Sequence, residues 1–441
     1  MNEILALSGV AQAALIRNRK ISSQELIRLH LDRIAEVNPQ INAVVEVLPP
    51  SVPRPGPLSG VPFSIKDSIE VEGTVCTAGT LGYRNAPKST RDATLVARLR
   101  AAGAVPIAKT NIPDLLFAFE ADNLIFGRTN NPYDPTRTSG GSSGGEAALI
   151  ACCGSPFGLG SDAAGSVRLP AHYCGIASLK PTSGRLARTG HVPPHGGWVE
   201  TLWQIGPMAR RVEDLQAMMP ILLGPDGEDH TVIHMPYGQE PLDNLRIACF
   251  TDNGFAEPDA ETRAVVERAG KALGAVEKRP PGAELAHELE MKFLGADGGD
   301  GVKEFLRSIG SNRTHPLLDG WLEKLEAYRT DVNGFAAYFA LIDQFRARLH
   351  AFLSTVDVIL SPVSTSAALP HGTSIEEKNF RGFSYTMMHN LTGWPAAVVR
   401  CGETSTGLPI GVQIAAGPWR ENIVLGVARR LEDIFGGWRA P

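Results

Sequence analysis

The chain has 441 residues, 43% of them hydrophobic, with 42 Lys+Arg against 47 Asp+Glu and a net charge of −5. This balance excludes a disordered chain and argues against nucleic acid or an anionic membrane as the main partner. At roughly 150 residues per domain the length allows about three domains, and one large α/β domain accommodates it equally well. No apolar run is long enough to form a spanning helix. The N-terminus carries Glu3 early and its basic residues late, the wrong order for a signal peptide. The six cysteines (Cys76, Cys152, Cys153, Cys174, Cys249, Cys401) contain no C-x-x-C pair and read as buried, reduced thiols. A cytoplasmic protein is expected.

The first forty residues predict two helices. The second opens at a Ser22/Ser23 cap with Glu25 behind it and should end before Pro39. A proline-rich connector over 49–60 leads into a strand at VPFSI. Then come a helix (DATLVARLRAAG), a short buried strand (AVPIA), and a polar glycine-rich loop over about 127–145. The helix EAALIACC follows, and the strand PFGLG after it. Helix–strand pairs recur to the end: LRIACF with ETRAVVERAGKAL, then VDVILSP, AAVVRC, LPIGVQIAA and a closing helix, ENIVLGVARRLEDIF. Such alternation predicts a layered α/β domain around a buried sheet. Residues 280–350 differ, holding few strand signals and several helical stretches (GVKEFLRSI, LLDGWLEKLEAY, FAAYFALIDQFRARLHAFL). They read as a helical insertion, either covering a site or forming a plain helical layer.

The chemistry concentrates in TSGGSSGGEAALI, from Thr138, and GLGSDAAGSVRLP, from Gly158 to Pro170. A flexible linker does not lead straight into an apolar helix and a second glycine-serine turn, so these glycines read as points of close backbone approach. Three templates compete for them. Gly140-x-Ser142-x-Gly144 matches the nucleophile elbow of α/β-hydrolases, but the polar run YDPTRTS stands where its strand should be. The P-loop pattern from Gly103 to Thr110 fails because Ala108 replaces its second glycine. His191 and His195 have a ligand-like spacing, but Pro193 and Pro194 between them preclude a shared helix face, and both read as loop histidines. The third template is a serine nucleophile activated by lysine instead of histidine.

On that template the stretch from Gly140 to Pro170 resembles the amidase signature. GVPFSIKD (Gly60 to Asp67), DATLVARLRAAG (Asp92 to Gly103), KTNIP (Lys109 to Pro113), GPMAR (Gly206 to Arg210), NLTGWPA (Asn390 to Ala396) and GLPIGVQ (Gly407 to Gln413) are similar to other segments of that family. The likeness runs from about 4 to 435 and is weakest between 225 and 355. It implies one domain over 1–441, with a catalytic core at 60–215 and the helical insertion at 280–350. The fold it implies is three-layer α/β/α around a large, mostly parallel mixed sheet. It further implies Ser166 as nucleophile and Ser142, after a cis peptide, as the bridge to Lys66. Lys66 would act as a neutral amine, its pKa drawn down by burial. The backbone N–H groups of Ala163, Ala164, Gly165 and Ser166 would form the oxyanion hole. Ser143, Asp162 and Arg168 would support the turn, with Thr138 and Ser161 as weaker candidates. Ala164, Ser139, Ala108 and Asp114 depart from common family residues without removing a catalytic group.

The family includes amidases of many substrates and an amidotransferase subunit that releases ammonia from glutamine. EADNLIFGRTNNPY (Glu120 to Tyr133) and ADGG (Ala296 to Gly299) look more like the fatty-acid amide hydrolase side. An apolar pocket is therefore expected, with Leu124, Ile125, Phe126, Trp198, Trp203 and the Met387/Met388 pair as candidates. The expected substrate is a small acyl or aryl amide, ester or carbamate, taken without cofactor or metal. Monomer and homodimer are both compatible with the sequence.

Overall fold

A computed structural model describes residues 3–194, 197–238 and 240–441. Eleven strands among these form one sheet: β1 (Val44–Val47), β2 (Pro62–Lys66), β3 (Val105–Thr110), β4 (Phe157–Asp162), β5 (Ala177–Lys180), β6 (Gln204–Ala209), β7 (Ile247–Cys249), β8 (Val276–Glu277), β9 (Val358–Pro362), β10 (Ala396–Glu403) and β11 (Pro409–Ala416). Their order is β1-β3-β2-β4-β6-β5-β10-β11-β9-β7-β8.

Side-chain alternation splits the core into two layers. Phe63 and Ile65 of β2 pack with the helices Thr94–Ala101, Val212–Leu222, Ala260–Ala272 and Glu421–Phe435. Val105 and Ile107 of β3 pack on the opposite face with Ser23–Ile41, Gly144–Ala151 and Arg168–Cys174. The result is the expected three-layer arrangement around a mixed sheet.

The parallel bias is not observed. Among the described residues, six of the ten pairings are antiparallel and four are parallel. Two devices turn the chain back where the helix–strand rhythm suggested crossovers. β6 inserts between β4 and β5, antiparallel to both, and β10 meets β11 in a hairpin closed by Thr404 N–H on the Leu408 carbonyl at 2.8 Å.

The Ser22/Glu25 capping box forms, but its helix runs through Pro39 to Ile41. A proline so near the end removes only one ladder bond, and Asn42, at φ 48°, then closes the helix. All six cysteines are free and buried. From Ala286 to Phe352 the regular elements are helices: Ala286–Leu294, Asp300–Ser308, Pro316–Glu326 and Val332–Phe352. No helix among the described residues is long and apolar enough to cross a membrane.

Candidate active site

β2 sends Phe63 and Ile65 into one core, so Ser64 and Lys66 necessarily face the other side. Lys66 is fully buried there. Its Nζ lies 2.7 Å from Ser142 Oγ, 3.0 Å from Ser161 Oγ and 3.3 Å from the Ser161 carbonyl oxygen. Burial drives its pKa well below the ordinary lysine value, and the more distant carboxylates of Asp162 and Glu146 only partly oppose that. Glu146 bonds Ser64 and, at 2.7 Å, Thr110 Oγ1, while burial pushes its own pKa up to about 7.

The two glycine-serine turns meet at this lysine. The Gly141–Ser142 peptide is cis. Ser143 N–H donates to the Ser166 carbonyl at 3.1 Å, tying the first turn to the second. Ser143 Oγ bonds both the carbonyl and the N–H of Ser161 at 3.3 Å, inside the expected network. Thr138 Oγ1 accepts from Gly140 N–H at 3.0 Å and so shapes the entry to the turn. Ser142 and Ser166 line one cavity.

The second turn is held from beneath by Asp162 and Arg168, both fully buried. The guanidinium reaches the two carboxylate oxygens at 2.8 and 2.9 Å, and its other nitrogen donates to the Thr386 carbonyl and Gln413. Asn390 adds a bond to Asp162 at 2.9 Å. Burial alone would raise the Asp162 pKa, but Arg168 and Asn390 outweigh it and hold the carboxyl well below the usual range. Gly165 sits at φ +122°, where a Cβ would lie 2.5 Å from Thr386 Oγ1, so only glycine fits. Its N–H is turned back onto Asp162 at 2.8 Å. That differs from the expected four-donor oxyanion hole, because the carboxylate that shapes the turn consumes one donor. Ala163, Ala164 and Ser166 have N–H groups with no acceptor among the described residues.

The cavity above these groups measures about 320 Å³ and has mainly apolar walls. Leu115, Leu116 and Phe117 form one side, and Pro193, Pro194, Val199, Leu202 and Trp203 another. Leu294, Gly301, Val302 and Phe305 of the helical segment complete it. Of the expected pocket residues only Trp203 belongs to this lining. Leu124, Ile125 and Phe126 lie in a loop folded around Asn123 Oδ1, which accepts from two of its N–H groups. Asn42 pins that loop through the Phe126 carbonyl. Trp198 instead donates to the Phe293 carbonyl at 2.8 Å and packs on Phe335. Met387 and Met388 are core residues.

Sequence reasoning also missed His191. It lines the cavity and bonds Ser161 Oγ at 3.0 Å, one hydrogen bond from Lys66. Its placement follows from the chain rejoining β2's extension, with Val192 N–H on the Ser68 carbonyl at 2.7 Å. His195, its partner in the ligand-like spacing, lies outside the described residues.

A cleft with a buried lysine, two serine turns and backbone donors unpartnered among the described residues has the groups that nucleophilic acyl transfer requires. Residues 25–425 match the Amidase family model, and the chain belongs to that family. Fatty-acid amide hydrolase 2 of Homo sapiens is 30% identical, over 99% of this chain and 91% of its own. A glutamyl-tRNA(Gln) amidotransferase subunit from Prochlorococcus marinus is also 30% identical, over 94% of each chain. Among solved structures, 6-aminohexanoate cyclic dimer hydrolase complexed with substrate superposes with a TM-score of 0.85 at 27% identity, covering 98% of this chain and 97% of that one. This chain is an amidase-signature hydrolase acting on C–N amide bonds.

Proposed function

We propose that Ser166 attacks the carbonyl carbon of an apolar acyl or aryl amide, with Lys66 acting as base through Ser142. The observation that carries this reading is a fully buried Lys66 Nζ 2.7 Å from Ser142 Oγ, in a cavity that Ser166 also lines. As Ser166 Oγ bonds to the carbonyl carbon, its proton passes to Ser142 Oγ and the Ser142 proton to Lys66. The oxyanion is met by the N–H groups of Ala163, Ala164 and Ser166. Collapse breaks the C–N bond, and the proton returns by the same path to the leaving amine. Water then repeats the addition on the acyl-Ser166 ester and releases the acid.

The apolar walls, and the absence of lysine or arginine from the described lining, favour an uncharged acyl or aryl group over glutamine. Esters and carbamates undergo the same carbonyl addition, and the reading extends to them. Residues 294–305 supply one wall, which makes the helical insertion part of the binding site.

The test is turnover of a medium-chain acyl p-nitroanilide, the matching aryl carbamate, and glutamine by the purified chain, with Ser166→Ala and Lys66→Ala alongside. Hydrolysis of the anilide or carbamate, lost in both variants, is expected. Glutamine turnover alone would instead assign the amidotransferase role. Activity surviving Ser166→Ala would remove the nucleophile and the mechanism with it.

A further inference from the structure

A neutral lysine amine has two N–H bonds and one lone pair, and it can act as a base only along the lone pair. Three oxygens surround Lys66 Nζ, so which of them faces the lone pair decides whether the base works. The Ser161 carbonyl, at 3.3 Å, can only accept and therefore takes one N–H. The second N–H and the lone pair are left to two hydroxyls, Ser142 at 2.7 Å and Ser161 at 3.0 Å. If the Ser161 hydroxyl points its hydrogen at Lys66, it occupies the lone pair and Ser142 cannot give up its proton. If that hydrogen points elsewhere, Ser161 accepts from Lys66 and the lone pair falls to Ser142.

His191 decides between the two. Its Nδ1 lies 3.1 Å from the Pro193 carbonyl, an acceptor only, so a neutral ring carries its hydrogen on Nδ1. Nε2 is then an acceptor, 3.0 Å from Ser161 Oγ and 3.1 Å from Ser68 Oγ. Either hydroxyl can donate to it, and it has no hydrogen to give back. The ring is held in place by burial and by Trp203, with centroids 4.5 Å apart.

We propose that His191 is a positioning residue that draws the Ser161 hydroxyl hydrogen away from Lys66 and so aims the lysine lone pair at Ser142. No proton leaves Ser161, and the roles of Lys66 and Ser142 rest on the mechanism proposed above.

Asparagine and glutamine separate the two ring nitrogens, since the asparagine amide reaches the Nδ1 position and the glutamine amide the Nε2 position. His191→Phe and His191→Asn should slow single-turnover acylation about tenfold, the loss of one directing hydrogen bond, with KM changed less than about threefold. His191→Gln should stay within about threefold of the parent rate. Because His191 acts through Ser161, adding His191→Phe to Ser161→Ala should cost no further rate. Loss that appears in KM, an additive double variant, or asparagine outperforming glutamine would overturn the proposal. If the phenylalanine variant does not fold, the order of the two amides decides alone. Ser166→Ala keeps the two claims apart. If it is inactive while every His191 variant works at full rate, the mechanism stands and the positioning role falls.

Discussion

Two lysines on neighbouring parallel strands are both fully buried, and they have opposite electrostatic fates. Lys109 on β3 meets the Asp67 carboxylate at 2.7 Å and the Val75 carbonyl at 2.9 Å. Burial works against its charge, yet the neighbouring Cys76 thiol and the hydrogen-bonded Asp67 carboxylate together raise its pKa above the ordinary lysine value. Lys66 on β2 has, among the described residues, only serine oxygens within bonding distance, and burial prevails. The adjoining residues Lys66 and Asp67 thus divide the work: the carboxylate is committed to Lys109, leaving the other amine without a counter-charge. The charge of Lys109 is supported and that of Lys66 is disfavoured, and the placement of one carboxylate separates them; in the mechanism proposed above the unsupported amine is the base.

Exchanging each lysine for methionine breaks the comparison most sharply. Lys66→Met should cut kcat by about 10²–10⁴-fold, the range for loss of a general base, while leaving the thermal midpoint unchanged or higher. Its folded pKa lies below the unfolded one, so wherever an unfolded lysine is charged this residue costs stability and its removal relieves that cost. Lys109→Met should do the reverse, destabilising by about 3–5 kcal/mol because Asp67 is left buried without its cation. The raised pKa of Lys109 contributes stability below the unfolded lysine value, and that contribution is lost as pH rises through the folded value. Urea melts and steady-state kinetics on both variants check the pair. Loss of stability in Lys66→Met equal to that in Lys109→Met would erase the distinction.

The pH profile sharpens it further. In the proposed mechanism Lys66 acts as the neutral amine, and burial disfavours the charged form, so neutrality extends to lower pH than for a free lysine. kcat/KM should therefore hold well below pH 10 and fall about tenfold per pH unit once Lys66 protonates. A limb centred near the ordinary lysine value would mean the pocket does not do this.

What the sequence disclosed follows the same division. Ser142 and Ser166 were legible because their glycine-serine turns stand close together in the chain, and Lys66, 76 residues before Ser142, because its segment resembles the family's lysine strand. The structure brings Lys66 against Ser142 and puts Ser166 on the same cavity. The apolar walls were not, because Val302 and Phe305 lie on a helix whose spacing matches any core-facing stripe. Leu124–Phe126 misled because nothing local shows that Asn123 and Asn42 fold that loop away from the cavity. His191 was hidden by a pairing between segments distant in sequence: its loop rejoins the chain beyond β2 through an isolated bridge to Ile69. The parallel bias of the sheet failed for a related reason. Alternating helices and strands do not reveal that β6 slots between β4 and β5.

The smallest expected effect separates the lysine site from the helical wall of its cavity. Phe305 is half-buried on the Asp300–Ser308 helix, lines the cavity, and meets Tyr83 edge-on at 6.0 Å. It packs against the cluster of Ala78, Leu115, Leu306 and Leu318, so its truncation should leave the geometry of Lys66 and the serine turns intact. Phe305→Ala should therefore raise KM for a medium-chain acyl anilide about five- to tenfold, in line with roughly 1–1.5 kcal/mol for part of an aromatic surface. An acetyl anilide, too short to reach that wall, should be hydrolysed with KM and kcat within about twofold of the parent. If both substrates lose rate equally, the wall shapes the catalytic groups themselves, and the helices cannot be treated as a binding wall separate from the lysine site.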